Sequence, residues 1–366
     1  MTSLPGRVET RRPGEGQADR SSGFVSIVVP CRNEAASIER LFDALRAQDW
    51  PIHEVVLVDD GSTDDTARIL EAYASRFPDF PLRVVSGPAA GIPAAVNAGA
   101  RATSGEIIIR LDAHSRPAPD YVRWSVSALD CHDAGVAGGV WEVAPGADGL
   151  IARAIARAVS HPMGAGDAAY RTGRALSAAH EVDTVPFGCF RKALWEEVGG
   201  FNERLLTNED YEFNYRVRRS GRRVIMDPRI RSTYYSRTTL SDLARQYFRY
   251  GWWKAQMLKA NPASLRWRQA VPAGFVAVLT VLIGSSFFSR PAAVMLGGLG
   301  LVYLSALIVA SACICLGRRT WKIFPVLPAV FATIHFTWGT GVLVNLLTLG
   351  KWPAMNGTKR QRAEPN

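Results

Sequence analysis

The chain has 366 residues, enough for two domains or for one domain with a large extension. It carries 43 Lys and Arg against 33 Asp and Glu, so its net charge is +10, and its mean hydropathy is +0.00. Charge is nearly absent from the C-terminal third: Arg290 is the only charged residue between Gln269 and Arg318, and none lies between Lys322 and Lys351. These counts exclude a simple soluble enzyme and a protein that is membrane throughout. The basic excess fits membrane flanks better than a nucleic-acid partner.

The first 22 residues are rich in Arg, Gly, Glu and Ser and contain no apolar stretch. We therefore expect a disordered tail and no signal peptide. The five cysteines are odd in number and suggest no disulfide framework, which indicates a reducing compartment. The globular part is thus expected to lie in the cytoplasm.

From residue 24 onward, short β-branched apolar runs alternate with helical patterns. The predicted strands cover residues 24–30, 54–60, 82–86 and 106–114. The predicted helices cover residues 34–48, 63–76 and 92–103. Such alternation with short connections predicts an α/β, doubly wound, largely parallel sheet, in which ligands bind at the carboxyl ends of the strands.

The pattern is less regular after residue 118. We predict helices over residues 121–132, 150–159 and 208–220, strands over 136–140 and 182–190, and a Gly-rich loop over 161–171. The helix at 208–220 has acidic residues first and basic residues last, as the helix dipole favours. Residues 241–259 combine basic and aromatic side chains and predict a helix on a membrane surface.

Three apolar segments follow, at residues 270–288, 291–316 and 323–349, each about as long as the roughly 20 residues that cross a bilayer. A single such run can be a core helix, but three with so little charge predict membrane spans. With the globular part inside, the basic loop 317–322 also falls inside, as the positive-inside rule requires. Three full crossings then place the basic tail outside. Either this is tolerated, or the third segment, with its Pro and Gly residues, does not fully cross.

Polar pairs at two strand ends are candidate ligand-binding residues. Asp59 and Asp60, followed by Gly61, can hydrogen-bond a base or ribose, although turn and capping chemistry explains them equally. Asp112 and His114 end the fourth strand, and strand alternation predicts that both side chains meet one cation. Carboxylate and imidazole suit Mn²⁺ or Mg²⁺ on a diphosphate. The alternative is a capped turn beside a surface histidine.

Two helix-borne groups are further candidates. Glu209 and Asp210 begin a helix, where a carboxylate can serve as a general base or simply complement the helix dipole. Gln246, Arg249 and Tyr250 share a helix face, where an arginine can clamp a phosphate. The alternative for this second group is an anchor to lipid headgroups.

In combination, PCRNE, VDDGSTDDT, AAVNAGARATSGEIIIRLDAH, GGFNERLLTNEDYEFNYRVRRSG and QYFRYG resemble family 2 glycosyltransferases with the GT-A fold, over residues 24–251. HPMGAGDAAYR and DTVPFGCFRKALWEEVGGF are similar to a bacterial succinoglycan-biosynthesis glucosyltransferase subgroup that carries C-terminal membrane spans. The expected order is a tail (1–22), a GT-A domain (23–239), an interfacial segment (240–269), a transmembrane region (270–350) and a basic tail (351–366).

The resemblance also implies roles for individual residues. The nucleotide sugar is expected to contact Pro30, Arg32, Glu34, Asp59, Asp60, Asn97 and Asp112. Asp112 and His114 are expected to hold Mg²⁺ or Mn²⁺, with the histidine replacing the second carboxylate of the family's DxD motif. Asp210 corresponds to the catalytic base, with Glu209 beside it. Gln246, Arg249 and Tyr250 resemble a reduced QxxRW motif, with Tyr for Trp, near the acceptor or the diphosphate.

The implied activity is inverting transfer of one hexose, such as glucose, from a UDP-sugar to a polyprenyl-diphosphate-linked saccharide at the cytoplasmic face of the plasma membrane. Three spans are too few for a processive synthase channel. Other exopolysaccharide-assembly proteins are further candidate partners. Two alternatives stay open: transfer directly to a polyprenyl phosphate, and a non-catalytic nucleotide-sugar-binding membrane protein. The second alternative predicts loss of Asp112 or Asp210, and both are present.

Overall fold

The structure is a computed structural model that describes residues 23–166, 168–172, 178–318 and 320–349. The predicted tails at 1–22 and 351–366 lie outside the described residues. Within the described ranges one nine-stranded sheet is present. Its strands are β1 Val25–Cys31, β2 Glu54–Asp59, β3 Leu82–Ser86, β4 Ile107–Arg110, β5 Ser115–Pro117, β6 Ala134–Pro145, β7 His180–Glu181, β8 Cys189–Arg191 and β9 Arg223–Ser236.

Helices cover the sheet and continue into the C-terminal region. They are α1 Ile38–Arg46, α2 Thr66–Arg76, α3 Ile92–Ala102, α4 Tyr121–Cys131, α5 Leu150–Val159, α6 Pro162–Ala165, α7 Ala169–Thr172, α8 Lys192–Glu197, α9 Glu209–Arg219, α10 Leu240–Ala260, α11 Trp267–Ser286, α12 Arg290–Arg318 and α13 Leu327–Leu347. Short 3₁₀ turns occupy Pro262–Ser264 and Trp321–Ile323.

The strand order is β3-β2-β1-β4-β8-β6-β9-β5, with β7 paired to β9. The strands β3, β2, β1 and β4 run parallel, which confirms the predicted α/β sheet. The other half is mixed, because β8 runs antiparallel to both of its neighbours while β6 and β9 run parallel. The carboxyl ends of β1, β2 and β4 therefore meet at one edge.

Strand β1 is buried along its whole length because helices pack on both of its faces. Ile27 and Val29 join a core with Leu41 of α1. Val28, between them, points the other way into a second core with Val96 of α3. This two-sided burial fixes the strand that supports the candidate site.

Three sequence predictions in the sheet domain are wrong in detail. The strand predicted at 106–114 ends at Arg110, so Asp112 and His114 lie in a turn and strand alternation does not align them. Of the strand predicted at 182–190, only the last two residues belong to a strand, β8; Phe187 and Gly188 just before it adopt positive φ, at 65° and 42°, which strand geometry does not allow. The predicted loop at 161–171 contains the short helices α6 and α7.

Helices α11, α12 and α13 are long and apolar enough to cross a membrane, over Gln269–Ser286, Arg290–Gly317 and Leu327–Leu347. The third is one continuous helix of 21 residues, about 31 Å long at the usual rise. Its Pro328 lies in the first turn, where proline is tolerated. The proline content of this segment therefore does not interrupt the helix.

Helix α10 packs closely along α13. Glycines mark the points of nearest approach: a side chain on Gly251 would meet the carbonyl of Trp338, and one on Gly341 would meet the carbonyl of Phe248. Trp252 is 1% exposed in this contact. The prediction of a surface helix did not include this second, protein-facing side.

Candidate active site

The loops after β1 and β2 are joined by side-chain to backbone hydrogen bonds. Asn33 donates its backbone N–H to Ser62 Oγ at 3.0 Å, and its Oδ1 accepts from the N–H of Thr63 at 2.8 Å. The N–H of Glu34 donates to Thr66 Oγ1 at 2.8 Å. Because Ser62 to Thr66 lead into α2, these bonds hold both loops at one edge of the sheet.

The residues predicted to line a nucleotide pocket lie on these loops. Pro30 is buried in β1 and pairs with Val58, and Arg32 is half-buried in the loop that follows. Asp59, at the end of β2, accepts from the N–H of Ser62 at 3.2 Å. The structure thus brings this part of the predicted set together.

Asp60 is buried and faces the start of α3. Its carboxylate accepts from the N–H of Ala90 at 3.2 Å and from the N–H of Gly91 at 2.7 Å. Gly91 has a φ of 103°, which favours glycine at this turn. In this structure the Asp60 carboxylate fixes the loop before α3, and contact with a base or ribose stays a prediction.

Asn97 on α3 has all of its side-chain hydrogen-bonding capacity occupied by protein groups. Its Oδ1 accepts from the N–H of Phe201 at 2.8 Å and from Trp195 Nε1 at 3.3 Å. Its Nδ2 donates to Phe201 O and to Glu203 Oε1, both at 2.8 Å. In this structure Asn97 therefore positions the loop before α9, and contact with a nucleotide sugar stays a prediction.

A buried arginine joins the acidic residues. Arg110, at the end of β4, is 2% exposed, and its Nη2 lies 2.9 Å from Asp112 Oδ1 and 3.0 Å from Glu209 Oε1. Its Nη1 forms an ion pair with Asp210. The backbone N–H of Phe187 lies close enough to the Asp210 carboxylate to act against the rise in its pKa. One guanidinium thus gathers three carboxylates from two segments that are 100 residues apart in sequence.

Burial and charge together set the acidity of this cluster. Burial raises the pKa of Glu209 to about 7, and Arg110 opposes this rise. Burial likewise raises the pKa of Asp210, again against Arg110, while Asp112 adds to the rise. A carboxylate with a raised pKa is a stronger base, so Asp210 suits proton abstraction from a hydroxyl.

Asp112 and His114 leave two atoms available to a cation. His114 Nδ1 lies 2.9 Å from Glu34 Oε1, so its Nε2 is the free ring nitrogen, and Asp112 Oδ2 is not used by Arg110. These two atoms are 4.0 Å apart. An imidazole nitrogen and a carboxylate oxygen are donor types that would hold Mg²⁺ or Mn²⁺. No group of three or more His, Cys, Asp or Glu side chains with metal-site geometry occurs in the described ranges, so further ligands would come from substrate or water.

Two of the three residues predicted near the acceptor interact directly. Gln246 is buried, and its Nε2 donates to Tyr250 Oη at 3.0 Å and to Tyr234 Oη at 3.1 Å. Arg249 is exposed. Asn208, just before α9, donates from Nδ2 to the carbonyl of Tyr250 at 3.3 Å. Helix α10 is thereby connected to the start of the helix that carries Asp210.

Sequence reasoning missed Arg110. The signal was present, because an arginine directly after three isoleucines in a buried strand requires a compensating charge. Its partners were not visible locally, because two of them come from α9.

Comparisons with known proteins agree with this geometry. Residues 26–196 match the sequence profile of glycosyl transferase family 2. The succinoglycan biosynthesis protein ExoA of Rhizobium meliloti is 30% identical over 340 residues, which cover 88% of this chain and 94% of that protein. An undecaprenyl-phosphate 4-deoxy-4-formamido-L-arabinose transferase of Pseudomonas savastanoi pv. phaseolicola is 37% identical over 102 residues, 27% of this chain and 30% of that protein.

The fold also has a solved counterpart. A mannosyltransferase from Pyrobaculum calidifontis, determined with GDP-Man and Mn²⁺, is similar with a TM-score of 0.58 at 22% identity, over 89% of this chain and 87% of that one. This similarity shows the GT-A fold. Together with the match to the family profile, the extended similarity to the succinoglycan protein confirms the resemblance seen in the motifs. The chain belongs to glycosyl transferase family 2.

Proposed function

We propose that this glycosyltransferase moves one hexose, with inversion, from a UDP-sugar to a lipid-linked saccharide during exopolysaccharide or cell-envelope glycan synthesis. The observation that carries the proposal is the buried cluster at the sheet edge, in which Arg110 holds Asp210 beside Asp112. The same chain carries three helices of membrane-spanning length after the sheet domain and α10. A carboxylate base next to a membrane region suits a sugar acceptor that is anchored in lipid.

The proposed reaction needs a single general base. The Asp210 carboxylate takes the proton of the acceptor hydroxyl, whose oxygen forms a bond to the anomeric carbon as the bond from that carbon to the UDP oxygen breaks. The electron pair of the broken bond leaves with UDP. A single displacement of this kind inverts the anomeric configuration. Glu209 shares the positive charge of Arg110 and thereby influences how strongly Asp210 holds a proton.

Asp112 and His114 are the residues that would hold a divalent cation, with His114 oriented by Glu34. Mg²⁺ or Mn²⁺ bound there would offset the negative charge that develops on the leaving diphosphate. The loops after β1 and β2, with Arg32, Asp59 and Asp60, would hold the nucleotide.

We also propose that the protein lies in the plasma membrane with its sheet domain, residues 23–239, in the cytoplasm. Residues 240–269 would join it at the interface to the spans in residues 270–350. Cys131 is an exposed cysteine of the sheet domain and serves as a reporter. A membrane-impermeant maleimide should label it in inverted membrane vesicles and not in intact cells. Labelling in intact cells would contradict this orientation.

A second candidate is direct transfer to a polyprenyl phosphate, which is favoured by the local 37% identity to the undecaprenyl-phosphate transferase. The two candidates yield different lipid products. Direct transfer gives a sugar monophosphate lipid, whereas the first proposal gives a lengthened saccharide on a lipid diphosphate. Mass spectrometry of the lipid product separates them.

The decisive assay uses purified protein in detergent with a panel of UDP- and GDP-sugars and lipid-linked acceptors. Asp210→Asn should lower transfer about 10²–10⁴-fold, because general-base catalysis contributes that much. Asp43→Asn, at an exposed position on α1, is the control and should transfer at the wild-type rate. Near-normal transfer by Asp210→Asn would show that Asp210 is not the general base.

A further inference from the structure

A buried arginine outside the catalytic cluster is surrounded by aromatic rings. Arg171, on α7, is 8% exposed, and its guanidinium lies 4.9 Å from the ring centre of Trp141, 5.6 Å from that of Tyr234 and 5.9 Å from that of Tyr250. Its Nη1 donates to Tyr247 Oη at 3.5 Å. Among the described residues no carboxylate pairs with it. Rings and hydroxyls compensate a buried cation only in part, because they carry no opposite charge.

A second polar group at this place also lacks a partner. The indole Nε1 of Trp141 is buried and has no hydrogen-bond acceptor in the described part of the chain. The ring cannot turn away easily, because it stacks on Tyr234 with centroids 4.3 Å apart and planes 6° apart. An indole N–H only donates, and a guanidinium only donates. Both groups therefore fit an incoming acceptor of hydrogen bonds, and the arginine favours one that is negatively charged.

The arginine and its rings lie between the catalytic cluster and the membrane-side helix. The ring centres of Trp141 and Phe187 are 5.5 Å apart, and Arg110 Cζ lies 5.9 Å from the centre of the same Phe187 ring. On the opposite side, Tyr247 and Tyr250 belong to α10, which packs along α13. A ligand here would reach Asp210 at one end and the membrane region at the other.

We propose that Arg171 and Trp141 bind the phosphate of the lipid-linked acceptor, adjacent to the sugar that is extended. This inference rests on the proposed transfer to a lipid-linked saccharide. A phosphate accepts several hydrogen bonds and matches the planar fork of a guanidinium. The donor diphosphate would lie elsewhere, at Asp112 and His114.

Binding is tested first without turnover. Farnesyl diphosphate, a short isoprenoid diphosphate, is titrated into the full-length protein in detergent. Arg171→Gln should weaken its binding at least about tenfold, as loss of a charged hydrogen bond predicts. Arg171→Lys should weaken it less, and Arg153→Gln, an exposed arginine on α5, should bind as wild type does. UDP-sugar binding by each variant shows that the protein is folded. Unchanged farnesyl diphosphate affinity in Arg171→Gln would overturn the proposal.

Kinetics provide the second test. With saturating donor, Arg171→Gln should raise KM for a diphosphate-linked acceptor and leave transfer to the same sugar on a neutral alkyl chain unchanged. Equal loss on both acceptors would mean that Arg171 is structural, and would overturn the proposal. Asp167, four residues before Arg171, lies outside the described residues. Asp167→Asn should bind farnesyl diphosphate as wild type does. If it weakened this binding as much as Arg171→Gln, the proposal would be contradicted. Absence of transfer by wild type with intact farnesyl diphosphate binding would instead contradict the proposed function alone.

Discussion

Arg110 at the end of β4 and Asp210 in the first turn of α9 form a buried ion pair. The pair connects the parallel half of the sheet to the helix that carries the candidate base. It also orients the Asp210 carboxylate, since Arg110 Nη1 pairs directly with Asp210 Oδ1.

Replacing Arg110 should change both stability and the pH–rate profile. Arg110→Met leaves three carboxylates without their shared cation, and removal of one partner of a buried pair costs about 3–5 kcal/mol in unfolding free energy. Loss of the positive charge lets burial raise the pKa values of Asp210 and Glu209 further. The acidic limb of the transfer rate should therefore move to higher pH, and less so in Arg110→Lys. If the pH–rate profiles of wild type, Arg110→Lys and Arg110→Met coincided, Arg110 would not control the pKa values of these carboxylates.

The raised pKa of Glu209 predicts that the protein loses stability as pH rises. Its pKa is raised from 4.5 to about 7, so the folded protein holds this proton more tightly than the unfolded chain. Stability should then fall as pH rises through this window, because unfolding releases a proton there. Glu209→Gln removes the effect, so wild type should lose stability relative to the variant from pH 4.5 to pH 7. Thermal unfolding in detergent measures it, and parallel curves would refute it.

Asn97 should be needed for the shape of the loop before α9. Asn97→Asp replaces two donated hydrogen bonds with a second carboxylate beside Glu203, and each buried group left unpaired costs about 1–3 kcal/mol. Unfolding free energy should fall by that order, and more than in Asn97→Ala, which adds no charge. If Asn97 contacted the nucleotide instead, UDP affinity would fall while stability stayed at the wild-type level.

The contact between α10 and α13 should tolerate no side chain at its glycines. Gly341→Ala would push the two backbones apart, since the new methyl group meets the carbonyl of Phe248. We expect a lower melting temperature and easier proteolysis near α10. Gly297→Ala is the matched control, because it lies in α12 with open space around it. A melting temperature for Gly341→Ala equal to that of Gly297→Ala would show that the contact is loose.

Chelation should abolish transfer reversibly. EDTA would remove a cation held by Asp112 and His114, and Mn²⁺ or Mg²⁺ should restore the activity. Asp112→Asn should raise the Mn²⁺ concentration needed for half-maximal rate by about tenfold or more, in line with losses seen at metal sites. Full activity in excess EDTA would show that no divalent cation takes part.

Local patterns predicted the parallel half of the fold well. The helical face of Ile38, Leu41 and Leu45 is buried in α1, because one strand–helix unit contains all of the information that its pattern requires. The end of β4 was placed too late, since a turn after Arg110 looks like a continued strand in sequence. Phe187 was predicted to lie in a strand, because a positive φ at a non-glycine residue cannot be recognised from the sequence.

The site was predictable only in parts. Asp59, Asp60 and Asp112 were identified by their positions after strands, which a parallel sheet brings to one edge. The pairing of Arg110 with Glu209 and Asp210 joins segments that are distant in sequence, so it cannot be predicted from the spacing of neighbouring residues. Asn97 was identified by the resemblance, but the four hydrogen bonds it makes with the chain itself are a tertiary feature.

The hydrogen bond from Asn208 to the carbonyl of Tyr250 has a mechanical consequence. Asn208 precedes Glu209 and Asp210 directly and adopts a left-handed backbone conformation, with a φ of 67°. Helix α10 meets α13 with backbones in close approach, so a tilt of α13 would be passed through α10 to Asn208. The direction of the Asp210 carboxylate would therefore depend on how α13 is held.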